Sequence, residues 1–487
     1  MNPLACVFAD FKTTPYKHQG LEFEASCDLR RRALFWQMRT GKTKVTLDTA
    51  FYNYELGRIG AMIIFAPNGV HENWIRRELP IHGWHDNVNA WAWRTDLKDD
   101  PAHQDAFEDA LRDRSKFAVF AFPASGVSRE DMKKAIHAVL KAYAPKCMFV
   151  ADESHDYRSP SSKRGAVARS VASKCVMRRI LSGTPVENSP LHAWGQFELL
   201  KKAALGYKDY GTFEKRFAKF VKIDTPTHQF LKLDEYVDLP ILTQRMAEYS
   251  SVLLRSECTD LPDLVYKTRY IDITDDQISA YNDLKRSFLI ALRTGTVSVG
   301  EQTQRLIKMQ QVLSGFVRDE FGNDHDIIPD DKNPRLHAVV DEVNLTGGRN
   351  IIWCAFKRDM YKVKEVLEKD GHEVLEYHGG TTAAAKAKAR KEFEPGSHGV
   401  AHLVGHPVSG GSGLDLSAAD KIIWYSHTFD AIVRAQADER ATAIGGGNVP
   451  IVDFSAGLTD DYIRDNVKEK VNVAESVSRG GLKEYLT

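Results

Sequence analysis

Short apolar runs alternate with longer amphipathic stretches along most of this 487-residue chain. Buried parallel strands are typically continuous apolar runs of this kind, and consecutive parallel strands are usually joined by a crossover helix. The runs form two series, one in each half of the chain: Ala33–Met38, Ala61–Ala66, Phe117–Phe122, Cys147–Ala151 and Met177–Leu181, then Ile351–Phe356, Val374–Tyr377, Val400–Val404, Ile422–Tyr425 and Ile451–Phe454. This alternation predicts an α/β protein with two doubly wound parallel-sheet domains.

The region between the two series, roughly residues 197 to 337, has a different pattern. Aromatic residues recur there at helical spacing, as in Tyr210, Phe213, Phe217 and Phe220, and Glu301–Gly315 has the pattern of an amphipathic helix. We therefore expect helical insertions and a linker in this region, and no third sheet. A C-terminal helix with one apolar face is predicted from four regularly spaced residues: Ile463, Val467, Val471 and Ala474.

The charge balance limits the possible partners. Lys plus Arg equals Asp plus Glu, 66 against 66, so any nucleic-acid contact must be a local basic patch. Because no apolar run approaches the roughly 20 residues that span a bilayer, we expect no membrane partner. The cysteines include no C-x-x-C pair, which argues against a zinc site and fits a reducing compartment. We expect a cytoplasmic location, which for a viral protein means the host cell cytoplasm.

A loop with the residues of a phosphate site follows the first apolar run. It contains Arg39 and Thr40, ends in Gly41-Lys42-Thr43, and precedes a helical pattern. Backbone N–H groups at such a junction can surround phosphates, Lys42 would contact the β- and γ-phosphates, and Thr43 would hold Mg²⁺. The first glycine of the usual loop is replaced by Trp36.

Two adjacent acids, Asp152 and Glu153, follow another apolar run. Asp152 is suited to hold Mg²⁺ through water, and Glu153 to polarise an attacking water. A pair of this kind is also common in plain solvated turns. The phosphate loop upstream favours the catalytic interpretation.

These acids open a run of motifs that resembles a known family. Asp152–His155 and Leu181–Asn188 resemble motifs II and III of superfamily 2 helicases, most of all the Swi/Snf-like DNA translocases of compact bacteriophage or bacterial type. The other matching segments follow in the family's order: Pro15–Gln19 (glutamine motif), Ala66–Asn68 with Asn73 and Trp74 (motif Ia), Ile352–Phe356 (motif IV), Gly410–Leu416 with Ala418–Asp420 (motif V), and Gln436, Arg440, Ile444 and Gly445 (motif VI).

The resemblance implies two RecA-like lobes, 1–255 and 256–487, with helical insertions between them and ATP bound between the lobes. It implies hydrolysis of ATP with Mg²⁺, stimulated by double-stranded or branched DNA, in replication, recombination or repair, and we expect a monomer. Its implied nucleotide-site residues comprise Gln19, which would read adenine, with Arg39, Thr40, Gly41, Lys42, Thr43, Asp152 and Glu153 in lobe 1, and Gly413, Asp415, Gln436 and Arg440 in lobe 2.

The resemblance also implies contacts with the nucleic-acid backbone at six positions: Asn68, Lys357, Gly379, Gly380, Ser409 and Gly410. The glycine pair would allow a phosphate to approach the chain closely, although a plain turn explains it nearly as well.

One position departs from the family pattern. Motif VI normally carries two arginines, but here Arg440 is followed by Ala443 at the second position. Because an arginine finger contributes on the order of 10³–10⁵ in rate, this loss is significant. Arg440 would act alone, or another residue would substitute. Arg434 is nearby, although a solvated helix residue is its simpler interpretation.

Two alternatives stay open. In the first, the chain is an ATP-gated DNA- or protein-binding protein with negligible turnover, because of Ala443. In the second, the motor moves along RNA.

Overall fold

The structure is a computed structural model, and it describes residues 11–183, 189–224, 229–258, 264–293, 299–346, 348–393, 396–397, 399, 401–410, 416–441 and 447–467. The chain divides into two compact units, of which residues 11–258 and 264–467 contain the described parts. Within these described ranges, no helix combines the length and apolar character that a membrane span requires.

The described part of the first unit contains nine strands: β1 (Arg31–Trp36), β2 (Ala61–Ala66), β3 (Val88–Ala92), β4 (Phe117–Pro123), β5 (Cys147–Ala151), β6 (Met177–Leu181), β7 (Ala218–Asp224), β8 (Gln229–Tyr236) and β9 (Ser250–Leu253). Seven of them form a parallel sheet in the order β3-β4-β2-β5-β6-β1-β9, and β7 and β8 form an antiparallel hairpin.

Within residues 11–183, 189–224 and 229–258, ten α-helices accompany these strands: α1 (Lys17–Ser26), α2 (Lys42–Glu55), α3 (Val70–Asn73), α4 (Leu79–His82), α5 (Pro101–Arg112), α6 (Glu130–Tyr143), α7 (Lys163–Ser173), α8 (Ala193–Leu200), α9 (Tyr210–Phe217) and α10 (Leu239–Ala247). A π-helical turn, Trp74–Glu78, joins α3 to α4.

The sheet of the first unit is buried on both faces, because successive side chains of a strand point to opposite sides. In β1, Ala33 and Phe35 pack into one apolar cluster, whereas Leu34 and Trp36 pack into the other. The same division holds for Phe149 and Val150 of β5. A stretch of strand that is buried on both faces is mostly apolar, which is why residues 33–36 of β1 and the whole of β5 were recognisable in the sequence.

The second unit contains a six-stranded parallel sheet in the order β10-β17-β16-β13-β15-β14. Its strands, together with the antiparallel hairpin β11–β12, are β10 (Leu264–Tyr270), β11 (Phe316–Arg318), β12 (Asp324–Asp326), β13 (Asn350–Trp353), β14 (Val374–Tyr377), β15 (His402–Gly405), β16 (Lys421–Trp424) and β17 (Val449–Ser455).

The helices of the second unit are α11 (Asp275–Arg293), α12 (Val299–Ser314), α13 (Pro334–Thr346), α14 (Lys357–Lys369), α15 (Ala383–Phe393), α16 (Pro407–Gly410) and α17 (Ala431–Glu439). Residues 458–467 are also helical, and Ile463 and Val467 are buried there, as expected. Val471 and Ala474 of the predicted C-terminal stripe lie outside the described residues.

The prediction of two doubly wound parallel sheets with helical insertions between them is confirmed, but the expectation that this region adds no further sheet is wrong. Residues 197–337 contain α9 to α12, and also the hairpins β7–β8 and β11–β12. The region also supplies β9 to the first sheet and β10 to the second. Phe220, which continues the helical spacing of Phe213 and Phe217 in the sequence, lies in β7, and residues 231–234 of β8 alternate apolar and polar side chains as a strand does.

Gly195 in α8 provides a test of how the first unit packs. A Cβ at this position would lie 2.4 Å from the carbonyl oxygen of Tyr157 and 2.6 Å from that of Arg158. We expect Gly195→Ala to lower the free energy of unfolding by about 1–3 kcal/mol, because backbone must move to make room. Urea unfolding followed by tryptophan fluorescence measures this change.

The matched control is Gly211→Ala in α9, where the nearest atom to a new Cβ is Asp209 Oδ1 at 3.5 Å. Alanine has the higher helix propensity, so this variant should be unchanged or more stable by up to about 1 kcal/mol. Equal effects at the two glycines would contradict the packing of α8 against the loop after β5.

Candidate active site

The loop after β1 has the geometry of a phosphate site. Arg39 and Gly41 both have left-handed backbones, with φ of 64° and 88°, and α2 begins at Lys42. The φ of Gly41 is one that residues with a side chain rarely adopt, and a Cβ there would also displace the Gln19 amide, so glycine is favoured at this position. The free N–H groups of the first turn of α2 therefore face a loop shaped to receive an anion.

Gln19 lies against this loop. Its Nε2 donates to the carbonyl oxygen of Thr40 (3.2 Å), its Oε1 accepts from the backbone N–H of Tyr16 (3.0 Å), and the side chain is buried. A ring nitrogen of His18 lies 2.8 Å from the same Thr40 oxygen. The structure thus places Gln19 beside the predicted phosphate loop. Its role in reading adenine stays a prediction.

Asp152 and Glu153 follow β5 directly. The N–H of Asp152 donates to the carbonyl oxygen of Phe65 in β2, and Glu153 has a left-handed backbone with φ of 50°. Burial, and then the charge of Glu153, raise the pKa of Asp152 to about 6, whereas a hydrogen bond from Trp74 and the charge of Lys42 act to lower it. Lys42 is thus close enough to act on the carboxylate electrostatically, while its Nζ donates to the carbonyl oxygen of Trp36 (2.7 Å).

A histidine connects the acids to the end of β6. His155 Nδ1 lies 3.2 Å from Glu153 Oε2 and 3.1 Å from Ser182 Oγ. Ser182 is fully buried and its N–H donates to the carbonyl oxygen of Leu34. Whether Nδ1 donates to these oxygens or accepts from the serine hydroxyl depends on which ring nitrogen carries the proton. The ring therefore links the predicted water-polarising carboxylate to the serine of the predicted motif III.

The topology brings these groups to one edge of the sheet. β5, β6 and β1 are neighbours, and all run parallel. Since parallel strands end at the same edge, the loop after β1, Ser182 and the acids after β5 lie side by side. The hydroxyl of Thr43 and the carboxylate of Asp152 are hard oxygen ligands of the kind that Mg²⁺ prefers, so the residues present fit this cation.

Arg440 of the second unit follows α17. It is buried, and its carbonyl oxygen accepts from the N–H of Leu416 (3.3 Å), which joins the predicted motifs V and VI. Gln436 lies half-buried on α17. Gly413, Asp415 and Ala443, like residues 184–188, lie outside the described residues, so their predicted roles stay predictions.

The sequence suggested that Arg434 is a solvated helix residue, but the structure shows that it is buried. Its side chain is 7% exposed; Nε donates to Asp438 Oδ2 (2.8 Å) and Nη2 lies 2.7 Å from Asp453 Oδ1. The guanidinium also covers the ring of Trp424, whose indole donates to Asp438 Oδ1 (2.7 Å). Two carboxylates and an indole hold Arg434 inside the second unit. It is therefore a poor substitute for the arginine missing at position 443.

Most of the predicted nucleic-acid residues follow strands. Asn68 is exposed just after β2 in the first unit. In the second unit, Lys357 follows β13, Gly379 and Gly380 follow β14, and Ser409 and Gly410 end α16 after β15. Since β13, β15 and β14 are adjacent and parallel, these five positions share one sheet edge. Lys357 and both glycines of the pair are exposed.

Two protein families match consecutive parts of the chain. The SNF2-related domain family matches residues 16–320, more than half of the chain, and the helicase conserved C-terminal domain matches residues 332–445. The chain belongs to the SNF2-related family. It is thus a superfamily 2, Swi/Snf-like ATPase, as the ordered motifs predicted.

Several relatives of this SNF2-related chain are known. Putative protein p41 of Acyrthosiphon pisum secondary endosymbiont phage 1 is 22% identical, over 90% of this chain and 91% of that protein. The ISWI chromatin-remodeling complex ATPase ISW2 of Saccharomyces cerevisiae is 24% identical over 94% of this chain. The putative ATP-dependent helicase/translocase YwqA of Bacillus subtilis is 24% identical over 60% of this chain.

The chain spans only 40% of the yeast protein and 31% of the Bacillus protein. Among solved structures, the SWI2/SNF2 ATPase core of Sulfolobus solfataricus in complex with dsDNA aligns with 98% of this chain and 96% of its own, at 17% identity and a TM-score of 0.42.

The buried position of Arg434 leads to a stability prediction. Arg434→Met would leave Asp438 and Asp453 buried without their cation, so we expect the free energy of unfolding of the second unit to fall by about 3–5 kcal/mol. Adding Asp438→Asn should restore part of the loss, because it removes one uncompensated carboxylate. Denaturant unfolding measures both variants. If Arg434→Met were fully stable but lacked ATPase activity, Arg434 would be acting on the nucleotide instead.

Proposed function

We propose that this SNF2-related chain hydrolyses ATP with Mg²⁺ and uses the cycle to move along double-stranded DNA. The observation that carries the proposal is the shared sheet edge of the first unit, where the phosphate loop, Ser182 and the acid pair meet. The sheet edge of the second unit that carries Lys357 and the Gly379–Gly380 pair supports a track of phosphates. A phage protein aligns with 90% of this chain and 91% of its own length, which favours action in the cytoplasm of a bacterial host.

Each residue of the first unit has a separate chemical task in this proposal. Lys42 and the N–H groups of α2 bind the phosphates, and Thr43 and Asp152 hold Mg²⁺, which neutralises charge on the transferred group. Gln19 binds the base. Glu153 orients and deprotonates the attacking water. His155, which lies between the Glu153 carboxylate and the Ser182 hydroxyl, holds that carboxylate in place.

Arg440 is proposed to act without a second motif VI arginine. The main contribution of such a residue is a positive charge that offsets the negative charge on the γ-phosphate oxygens in the transition state. Because Arg434 is engaged by Asp438 and Asp453, the described part of motif VI offers Arg440 for this task. Gln436, on the same helix and half-buried, is proposed to assist it.

The catalytic assignment predicts the behaviour of Glu153→Gln. Turnover in steady state should fall at least 10²- to 10⁴-fold, while ATP binding persists, because the general base is lost and the phosphate contacts remain. Asp156→Asn is the matched control: it lies in the same loop, is half-buried, and pairs with Arg164 at 3.5 Å. Equal turnover in Glu153→Gln and wild type would disprove the assignment. If the wild-type protein bound ATP but showed no turnover under all conditions tested, the alternative function of an ATP-gated binding protein would be favoured.

The DNA assignment predicts that duplex DNA stimulates turnover and that binding weakens steeply with salt, because phosphate contacts release counterions. Lys357→Ala should lower affinity for all duplex sequences alike and reduce the salt slope by about 1. Lys369→Ala, at the other end of α14 and paired with Glu365 at 2.9 Å, is the control. Fluorescence anisotropy over a salt series measures both.

Binding that does not depend on salt would count against DNA as the partner. Stronger stimulation of turnover by an RNA duplex than by a DNA duplex would favour the alternative that the motor moves along RNA.

A further inference from the structure

We propose that Trp74 is a positioning residue, whose indole N–H holds the Asp152 carboxylate in the orientation in which it binds Mg²⁺. Trp74 Nε1 donates to Asp152 Oδ2 at 2.9 Å, and both side chains are buried, with 1% and 7% exposed. The inference rests on the proposed function, since it takes Asp152 as the carboxylate that holds the cation.

The carboxylate of Asp152 has one fixed donor on each oxygen. Oδ2 accepts from the indole, and Oδ1 accepts from the N–H of Glu153 at 3.0 Å. Two donors on the two oxygens fix both the rotation and the tilt of the carboxylate plane. Each oxygen retains acceptor capacity for a cation or its water. A partner that orients a ligating carboxylate in this way commonly changes metal affinity strongly when it is removed.

Trp74 is itself rigidly placed. It begins the π-helical turn Trp74–Glu78, and π turns of this kind are rare and frequently occur at functional sites. Its rings pack in the apolar cluster that contains Ile64 and Ala66 of β2 and Val150 of β5. β2 and β5 are hydrogen-bonded neighbours, so the indole and Asp152 are anchored to the same pair of strands.

A second tryptophan in the same unit provides a matched control. Trp84 Nε1 donates to Asp48 Oδ1 at 3.0 Å, and Asp48 also accepts from Lys44 Nζ at 2.8 Å. Both pairs are an indole bound to a buried aspartate. The Trp84 pair differs in that Asp48 lies within α2, is paired with Lys44, and is assigned no metal ion.

The test compares Trp74→Phe with Trp84→Phe, each of which keeps an aromatic ring and removes the N–H. Binding of ADP that carries a fluorescent label is titrated first without Mg²⁺ and then as a function of Mg²⁺ concentration. We expect Trp74→Phe to bind the nucleotide as wild type does without Mg²⁺, and to need about 10–100-fold more Mg²⁺ for half-saturation. Trp84→Phe should follow wild type in both titrations.

A half-saturating Mg²⁺ concentration in Trp74→Phe equal to that of wild type would overturn the inference and leave the proposed function intact. Equal shifts in the two variants would overturn it as well, since they would reflect a general loss of packing. If wild-type nucleotide binding were independent of Mg²⁺, the assignment of Asp152 would be wrong, and both proposals would fall.

Wild-type protein with ¹⁵N-labelled indoles gives an answer even if Trp74→Phe does not fold. The Trp74 indole resonance should shift when Mg²⁺ is added to the ADP complex, while the Trp84 resonance should not. An unchanged Trp74 resonance would overturn the inference.

Discussion

The parallel direction of β5, β6 and β1 is the constraint on which the candidate site depends. Three segments far apart in sequence end at one sheet edge only because their strands run the same way and lie next to one another. The burial of the sheet on both faces holds that edge rigid, since Phe149 and Val150 anchor β5 to opposite apolar clusters. Polar groups that the chemistry needs are therefore confined to the loops, while the strands supply the positions.

Buried charge is handled differently in the two units. Asp152 is buried with hydrogen-bond donors but no ion-pair partner among the described contacts, and burial raises its pKa to about 6. A site of this kind gains most from a bound cation. Arg434 is buried between Asp438 and Asp453, which already supply the opposite charge. The charge of Asp152 can therefore still be neutralised by a ligand, whereas the charge of Arg434 is already neutralised by two carboxylates. This contrast distinguishes a candidate catalytic group from a structural one, although both residues are buried.

Membership of the SNF2-related family agrees with this physical account of the site. The family match begins at residue 16 and so includes Gln19, the phosphate loop, and the acids after β5. The departure at Ala443 remains the point at which this chain differs from the family pattern. Because Arg434 is held in the core of its unit, a compensating positive charge is not supplied from that position, and the proposed chemistry depends on Arg440.

Residues near in sequence determined much of what could be predicted. Apolar runs such as Ala61–Ala66 and Cys147–Ala151 coincide with β2 and β5, because strands buried on both faces are mostly apolar along their length. The phosphate loop and the acid pair were recognisable because each is a short run of adjacent residues directly after a strand. Only the tertiary structure decided that Trp74 bonds to Asp152, 78 positions away, that Arg434 is buried, and that the hairpin β7–β8 forms in a region expected to be helical. Those outcomes depend on which strands become neighbours, and no local pattern encodes a contact between segments that meet only after the sheet has assembled.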